Sequence, residues 1–583
     1  MMASSYGKIN EAEQARLDAG RKSRKRFITI ALSSVVLVCV IVAAVVGTQV
    51  GNGSNKDGAG EDPKSPSTSV KAVCDLTLYK ESCYNSMSHK VNPNQVVQPQ
   101  KLFKLAIQVA MDELGKASDR LSSHLKPYNN NSAAVAALDS CHDLLALAID
   151  HLNGSYASGN LDSSDDLRTW LSTAGTCQET CLDGFDELAL GPLKDTVKSN
   201  LKISQELTSN SLAIITWISK IMGSIKLRRL MGVEYHDKTN NVPKWPHQND
   251  RKLPNWLKPK DRKLIQSSAD LRKIADAVVA KDGSGKYKTI KDALKDVPDK
   301  SDRRYVIYAK KGIYEENVRV EKPKWNVVMV GDGKDVTIVT GKLNVVDGTP
   351  TFQSATFAVF GKGFVARDMG FRNTAGPSKH QAVALMSTAD HSAFYRCKFE
   401  AFQDTLYAHS NRQFYRECDV YGTVDFIFGN SAVVLQNCNI LPRVPMKGQQ
   451  NTITAQGRAD PNQNTGISIH NCTLWPSGNL SSVRTFLGRP WKNYSTTAYV
   501  KTMMNSFIDP KGWLPWTGDS APSTIYYSEY GNFGPGASTK GRVKWKGLRT
   551  NLSIKEAEKF TVKSFLGGEH WIKKADVSYK PGL

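Results

Sequence analysis

Between about residues 70 and 225, apolar residues recur at intervals of three and four. Leu102, Leu105, Ala106, Val109, Ala110 and Leu114 fall on one stripe, as they would on one face of a helix with about 3.6 residues per turn. Ala134 to Leu152 and Leu193 to Met222 show the same period, with Gly and Pro sparse inside them. The pattern predicts four amphipathic helices packed as a small bundle over 70–225. From Ala277 onward the period changes. Short β-branched runs are separated by Gly, Asn and Asp: Tyr305 to Tyr308, Asn326 to Val330, Val336 to Thr340 and Thr356 to Phe360. These read as short strands.

The strand region also repeats. Phe394-Tyr-Arg-Cys397 recurs as Phe414-Tyr-Arg-Glu-Cys418, and Cys397, Cys418 and Cys438 are spaced 21 and 20 residues apart. Gln436-Asn-Cys438 and His470-Asn-Cys472 echo the same ending. Strands repeating about every 20 residues indicate a solenoid with one coil per repeat, and a right-handed parallel β-helix fits; a propeller would need about 40–50 residues per blade. The predicted architecture is therefore an all-β parallel β-helix over 266–583, preceded by an all-α four-helix bundle.

The repeat places chemistry. Asp404 and Asp425 are 21 residues apart, one local repeat, so they should stack on successive coils about 4.8 Å apart. Like charges at that range do not both ionise cheaply. One carboxylate can then attack while the other donates a proton. Gln403 and Gln381 supply amide N–H groups suited to an oxyanion. Arg489 is suited to a two-pronged grip on a carboxylate, and Trp491 with Phe428 to a flat platform for a sugar ring. No Gly-rich phosphate loop precedes a helix, and no zinc or calcium spacing appears. His124, His142 and His151 have no cluster of partners, so the bundle reads as catalytically empty.

The N-terminus speaks to compartment. Residues 1–26 are polar and end in Arg21, Lys22, Arg24, Lys25 and Arg26; Phe27 to Val50 is an uncharged run of 24 residues. That is long enough to span a bilayer, which takes about 20 apolar residues. With the basic flank cytoplasmic, 27–50 is expected to be a signal-anchor or long signal peptide that sends the rest across the membrane. Residues 51–69 read as a flexible tether. Residues 226–265, with Lys226-Leu-Arg-Arg-Leu-Met231, Arg251-Lys-Leu-Pro254 and Asp261-Arg-Lys-Leu-Ile265, read as an extended linker open to a processing protease.

The 10 cysteines agree with an oxidising destination. Cys74 and Cys83 are 9 apart, and Cys141 and Cys181 are 40 apart, with Cys177 left over; these two spacings are read as two disulfides. Cys418 and Cys438, on adjacent coils, are placed within bridging reach. N-x-S/T sequons begin at Asn52, Asn130, Asn153, Asn471, Asn479, Asn493 and Asn551, usable as glycosylation sites on a secretory route. The net charge of +22 suggests a polyanionic partner: nucleic acid, an anionic membrane or an acidic polysaccharide. Residues 266–583 alone carry 44 Lys and Arg against 28 Asp and Glu, so most of the excess lies on the strand region.

At these residues a family becomes recognisable. The second half resembles the plant pectin methylesterases, or pectinesterases, through Gly312-Ile-Tyr-Glu-Glu316, Gln381-Ala-Val-Ala-Leu385, Gln403-Asp-Thr-Leu406, Asp425-Phe-Ile-Phe-Gly429 and Leu487-Gly-Arg-Pro-Trp491, all in the family's order. The first half resembles that family's inhibitor-type pro-region. The resemblance implies hydrolysis of the methyl esters of homogalacturonan, with Asp425 as nucleophile and Asp404 as acid and then base. It assigns Gln403 to the anionic intermediate, with Gln381 assisting. Arg489 would orient Asp425 and, with Trp491, contact substrate; Thr351 matches a substrate-contacting Thr. It implies pectin as partner, a processing protease at the linker, a proteinaceous pectinesterase inhibitor, secretion to the cell wall, no nucleic acid, and no metal or organic cofactor. Taken alone, the residues still leave room for a glycosidase on the same solenoid or for a non-catalytic wall-binding protein. The amide-rich flank of Asp404 suits a tetrahedral oxyanion better than an oxocarbenium ion.

Overall fold

The computed structural model describes residues 68–92, 97–124, 130–159, 161–231 and 268–583. The basic N-terminus (1–26), the apolar segment 27–50, nearly all of the tether 51–69 and most of the linker, 232–265, lie outside the described residues.

Four long helices form the N-terminal unit: α1 (Pro99–His124), α2 (Ser132–Ser158), α3 (Ser164–Glu187) and α4 (Gly191–Met231). Asn131 caps α2 by accepting the Ala134 amide at 3.1 Å, and Gly159 ends it in the left-handed conformation at φ 47°, which a residue without Cβ adopts freely. The striped residues are buried as the period requires: Leu102, Ala106, Val109, Ala110 and Leu114 from α1 meet Leu138, Leu144 and Leu145 from α2. α2 is long and apolar enough to cross a membrane, but half of its apolar window is buried in this bundle. Cys74–Cys83 and Cys141–Cys181 are disulfides, with Cys177 a buried free thiol, as the spacings predict. One boundary is corrected: residues 226–231 are not extended linker but the last turns of α4. Lys, Leu, Arg and Met are good helix formers, and neither Gly nor Pro interrupts them.

The second unit is a solenoid of three parallel sheets with 11, 8 and 7 strands. Each coil crosses the 11-stranded, then the 8-stranded, then the 7-stranded sheet. Ser392–Tyr395, Lys398–Glu400 and Leu406–Ala408 make one coil; Arg412–Arg416, Asp419–Gly422 and Ile427–Gly429 make the next. The register joins Phe394 to Tyr415 and Leu406 to Ile427. The repeat therefore aligns on Cys397 and Cys418, 21 residues apart, rather than on the two Phe-Tyr-Arg triplets. The interior is filled by stacked rings, among them Phe394 on Tyr415 at 4.8 Å and Phe371 on Phe399 at 5.7 Å, and forms one closed core from Ala277 to Tyr527. Short C-terminal helices, Val562–Leu566 and Ile572–Ala575, cover the outside of the 11-stranded sheet.

Between the 11- and 8-stranded sheets six successive coils turn through one residue at positive φ: Asp368 (54°), Arg396 (51°), Glu417 (54°), Asn437 (55°), Asn471 (53°) and Lys501 (51°). The next residue in four of these corners is Cys397, Cys418, Cys438 or Cys472, all buried free thiols. The expected Cys418–Cys438 bridge is thus corrected. In-register parallel coils send equivalent side chains inward side by side, and each sulfur engages backbone instead. The Cys397 amide lies 3.4 Å from the Cys418 Sγ and the Cys418 amide 3.5 Å from the Cys438 Sγ, while the Cys418 thiol donates to the Phe394 carbonyl at 3.4 Å.

Candidate active site

The corner between the 8- and 7-stranded sheets positions the acids. Asp404 (φ 62°) and Asp425 (φ 52°) both take the left-handed conformation there, which Asp tolerates better than most residues. Each precedes by two residues the paired strand positions Leu406 and Ile427, so the two carboxyls face one cavity from successive coils. The cavity, of about 450 Å³, is lined by Gln381, Gln403, Asp404, Asp425, Arg489 and Trp491. With Phe428, which also lines it, seven of the eight residues singled out from the sequence meet in one place. The eighth, Thr351, opens the short helical turn Thr351–Gln353 and is buried.

The two acids have different surroundings. Asp425 forms an ion pair with Arg489, whose Nε and Nη2 donate to its carboxylate at 2.9 and 2.6 Å. The Thr452 hydroxyl donates to Asp425 Oδ1 at 2.6 Å and accepts the Asp425 amide at 2.9 Å. Asp404 has no such clamp. Burial, then the neighbouring Asp425 carboxylate, then Glu187 push its pKa well above the usual carboxylate range. One carboxylate is held by a cation and a hydroxyl; the environment of the other favours its protonated form. Arg489 lies over the Trp516 ring at 4.2 Å, Trp491 leans on Phe428 and Trp516, and Phe428 stacks on Tyr407 at 4.1 Å. Gly457 has no side chain because a Cβ there would meet Trp491 at 2.8 Å.

Sequence reasoning missed Thr452, Lys492 and Trp516. Thr452 lies one coil beyond Asp425, but 27 residues on, because a loop lengthens that coil. Trp516 comes from an irregular segment after the strand Met503–Met504 and carries no repeat signal.

The bundle, which resembles an inhibitor-type pro-region, closes the cavity through residues that sequence reasoning did not single out. Asp183, Asp186 and Glu187 of α3 complete its lining. Glu187 Oε2 accepts the Thr351 amide at 2.8 Å, and Lys492 Nζ donates to Asp183 Oδ1 at 2.6 Å. Burial raises the Glu187 pKa to about 7 against the Thr351 amide, which favours its charged form. Burial also raises Asp183, with Lys492 opposing. Further along, α3 is fixed by Arg412 on Asp166 at 2.6 Å, Asn430 on Thr176 at 2.8 Å and the Thr180–His409 contact at 3.0 Å. The bundle's apolar cluster runs on into Phe352, Met386, Tyr407 and Phe428 of the β-helix, so the aromatic floor of the cleft is roofed by α3.

A family model described as pectinesterase matches residues 276–569, and one described as plant invertase/pectin methylesterase inhibitor matches 68–214. The chain is 56% identical over 576 residues to a probable pectinesterase/pectinesterase inhibitor of Arabidopsis thaliana, covering 99% of each chain. It is 55% identical over 590 residues to a putative second one, covering both completely. A solved pectin methylesterase from carrot is 52% identical, superposes with a TM-score of 0.52, and covers 53% of this chain and 98% of its own. With a family match over half its length and relatives of this identity along all of it, the chain belongs to the pectinesterase family.

Proposed function

We propose that the chain hydrolyses the methyl esters of homogalacturonan through Asp425 and Asp404, and that its bundle holds the site shut. The observation that carries the chemistry is the asymmetry of the two acids, one clamped by Arg489 and Thr452 and the other raised by burial and its neighbour. Asp425 attacks the ester carbonyl. The Gln403 and Gln381 amides receive the oxyanion, and Asp404 gives its proton to the departing methoxide, releasing methanol. Water then attacks the acyl-enzyme, losing its proton to Asp404, and the bond to Asp425 breaks to leave a free uronate. Trp491, Phe428 and Thr351 line the path of the sugar chain.

The role of the bundle rests on the Lys492–Asp183 contact inside the cavity and on Glu187, which lines it while accepting the Thr351 amide. A tethered module acts at about mM effective concentration for short linkers, so modest contacts suffice to keep the cleft filled. Cutting the linker opens it. The two bundle disulfides favour an oxidising route, and with the apolar segment 27–50 and the sequons they support export through the secretory pathway to a polysaccharide wall. The test measures methanol, reducing ends and unsaturated ends from highly methylated pectin, with full-length chain and with residues 266–583. The carrot relative, nearly all of which aligns to this half, and the closed core of the β-helix support its folding alone. Methanol alone, and more of it from the shorter protein, is the expected result. Reducing or unsaturated ends would overturn the esterase, and equal specific activity the closure.

A further inference from the structure

The cavity wall contains two cations, and they are differently committed. Arg489 is engaged by Asp425 of its own domain. Lys492, three residues on and just past Trp491, forms ion pairs only with the bundle, with Asp183 at 2.6 Å and Glu179 at 3.6 Å. Among the described residues, the β-helix offers it no carboxylate. Its ammonium is held 5.4 Å from the Trp491 ring centre, inside the cavity that holds both acids. Although burial pulls the Lys492 pKa down, Asp183 and Glu179 hold it above its ordinary value, so it stands charged against them.

A methyl ester is neutral and gives a cation nothing to pair with. The product is different, since each turnover leaves one carboxylate on the polymer. α3 shows what that cation accepts. Glu179, Asp183, Asp186 and Glu187 are spaced 4, 3 and 1 residues apart, and so share one helix face. At about 1.5 Å rise per residue, Asp183 and Glu187 stand about 6 Å apart along the axis. Asp183 sits on Lys492 while Glu187 reaches the neighbourhood of Asp404. An anion is thus held at Lys492 next to a second acyl group at the catalytic acids.

We propose that Lys492 is a specificity-determining residue that binds a free uronate carboxylate close to the methyl ester being cleaved, the position Asp183 occupies in the closed chain. The proposal rests on the reading that the bundle fills the substrate cleft. The open enzyme then favours strands already partly de-esterified, and its own product improves the next substrate on the same strand.

The test uses residues 266–583 freed from the full chain by cutting in the linker and separating the bundle. Two substrates are compared, fully methyl-esterified homogalacturonan and the same polymer about half de-esterified. Lys492→Met is expected to lower kcat/KM on the half-esterified polymer about five- to tenfold more than on the fully esterified one, mainly through KM, with Lys492→Arg restoring most of the difference. Fully de-esterified polygalacturonate, a product rather than a substrate, should inhibit Lys492→Met correspondingly less; this reading needs only binding and guards against a general loss of activity. Equal losses on both substrates with unchanged product inhibition would overturn the proposal while leaving the esterase intact. An unsubstituted protein that releases no methanol would overturn the esterase reading, and this one with it.

Discussion

The two halves of the molecule are opposites in charge and in how they complete their cores. Residues 70–225 carry 17 Asp and Glu against 13 Lys and Arg, whereas 266–583 are strongly basic. The β-helix closes its interior on itself from Ala277 to Tyr527. The bundle's apolar cluster is finished only by Phe352, Met386, Tyr407 and Phe428 of the other half. The same side-chain type also works differently in each. In the β-helix, carboxyls stand at corners fixed by backbone conformation, and a cation and a hydroxyl differentiate them. In the bundle, carboxyls ride on one helix and depend on the partner surface for their environment. The difference teaches that the basic half holds both cleft acids and the groups that differentiate them, while the acidic half is a counterpart shaped to that surface.

The sharpest test of this contrast is Asp425→Ala in residues 266–583. Turnover should fall about 10⁴-fold or more, as when a nucleophile is removed, in methanol release under saturating pectin. Near-normal release would show that the clamped carboxylate is not the attacking group. Asp404→Asn should cost less, about 10²–10⁴-fold, because attack survives without proton transfer. Its pH profile should lose the limb that reports a carboxyl titrating above the usual range, and an unchanged profile would assign the acid elsewhere.

Two smaller effects probe the bundle. Asp183→Asn in the full chain leaves Lys492 facing no charge on its nearest partner and should raise methanol release about tenfold, equivalent to about 1.4 kcal/mol of lost closure. No rise would mean that the ion pair is incidental. The smallest effect concerns pH. Glu187, with an ordinary pKa of 4.5, stands at about 7 in the closed chain. Closure therefore takes up a proton between these values. It is tightest below the lower one and weakens as pH rises through the upper; Asp183, raised in the same direction, adds to the trend. The ratio of full-length to 266–583 activity should climb a few-fold from about pH 5 to pH 7.5, and Glu187→Gln, neutral throughout, should flatten the climb. A ratio independent of pH would remove Glu187 from the closure.

What could be read from the sequence follows the same division. The spacing of Asp404 and Asp425 equals one coil, and a solenoid turns equal spacing into adjacency, so the acid pair was legible without coordinates. Thr452 escaped because its coil is longer, and sequence distance then ceases to measure spatial distance. Asp183 and Glu187 escaped for another reason: acidic residues on one face of an amphipathic helix look like a solvated surface until a partner covers them. Lys226 to Met231 were misread as linker because basic pairs were weighed above the helix propensity of the same residues. The cysteine column shows the limit of spacing arguments, since one coil of separation brought Cys418 and Cys438 side by side without joining them.

The corner between the 11- and 8-stranded sheets has a consequence for how such an enzyme can vary. Successive left-handed corners are separated by 28, 21, 20, 34 and 30 residues from Asp368 to Lys501, yet all fall in one column. Extra length is taken up elsewhere in the coil, in the loops on either side of the 7-stranded sheet, one of which carries Gln381 of the cleft. Insertions there lengthen the walls of the groove and leave the pitch of the spine unchanged. A single residue inserted within the corner or strand that carries Asp404 or Asp425, rather than in a loop, would instead slip that acid off its column. Loop length can thus drift while the corners that carry the two cleft acids tolerate no insertion, which separates the part of the molecule free to diversify from the part that must be inherited whole.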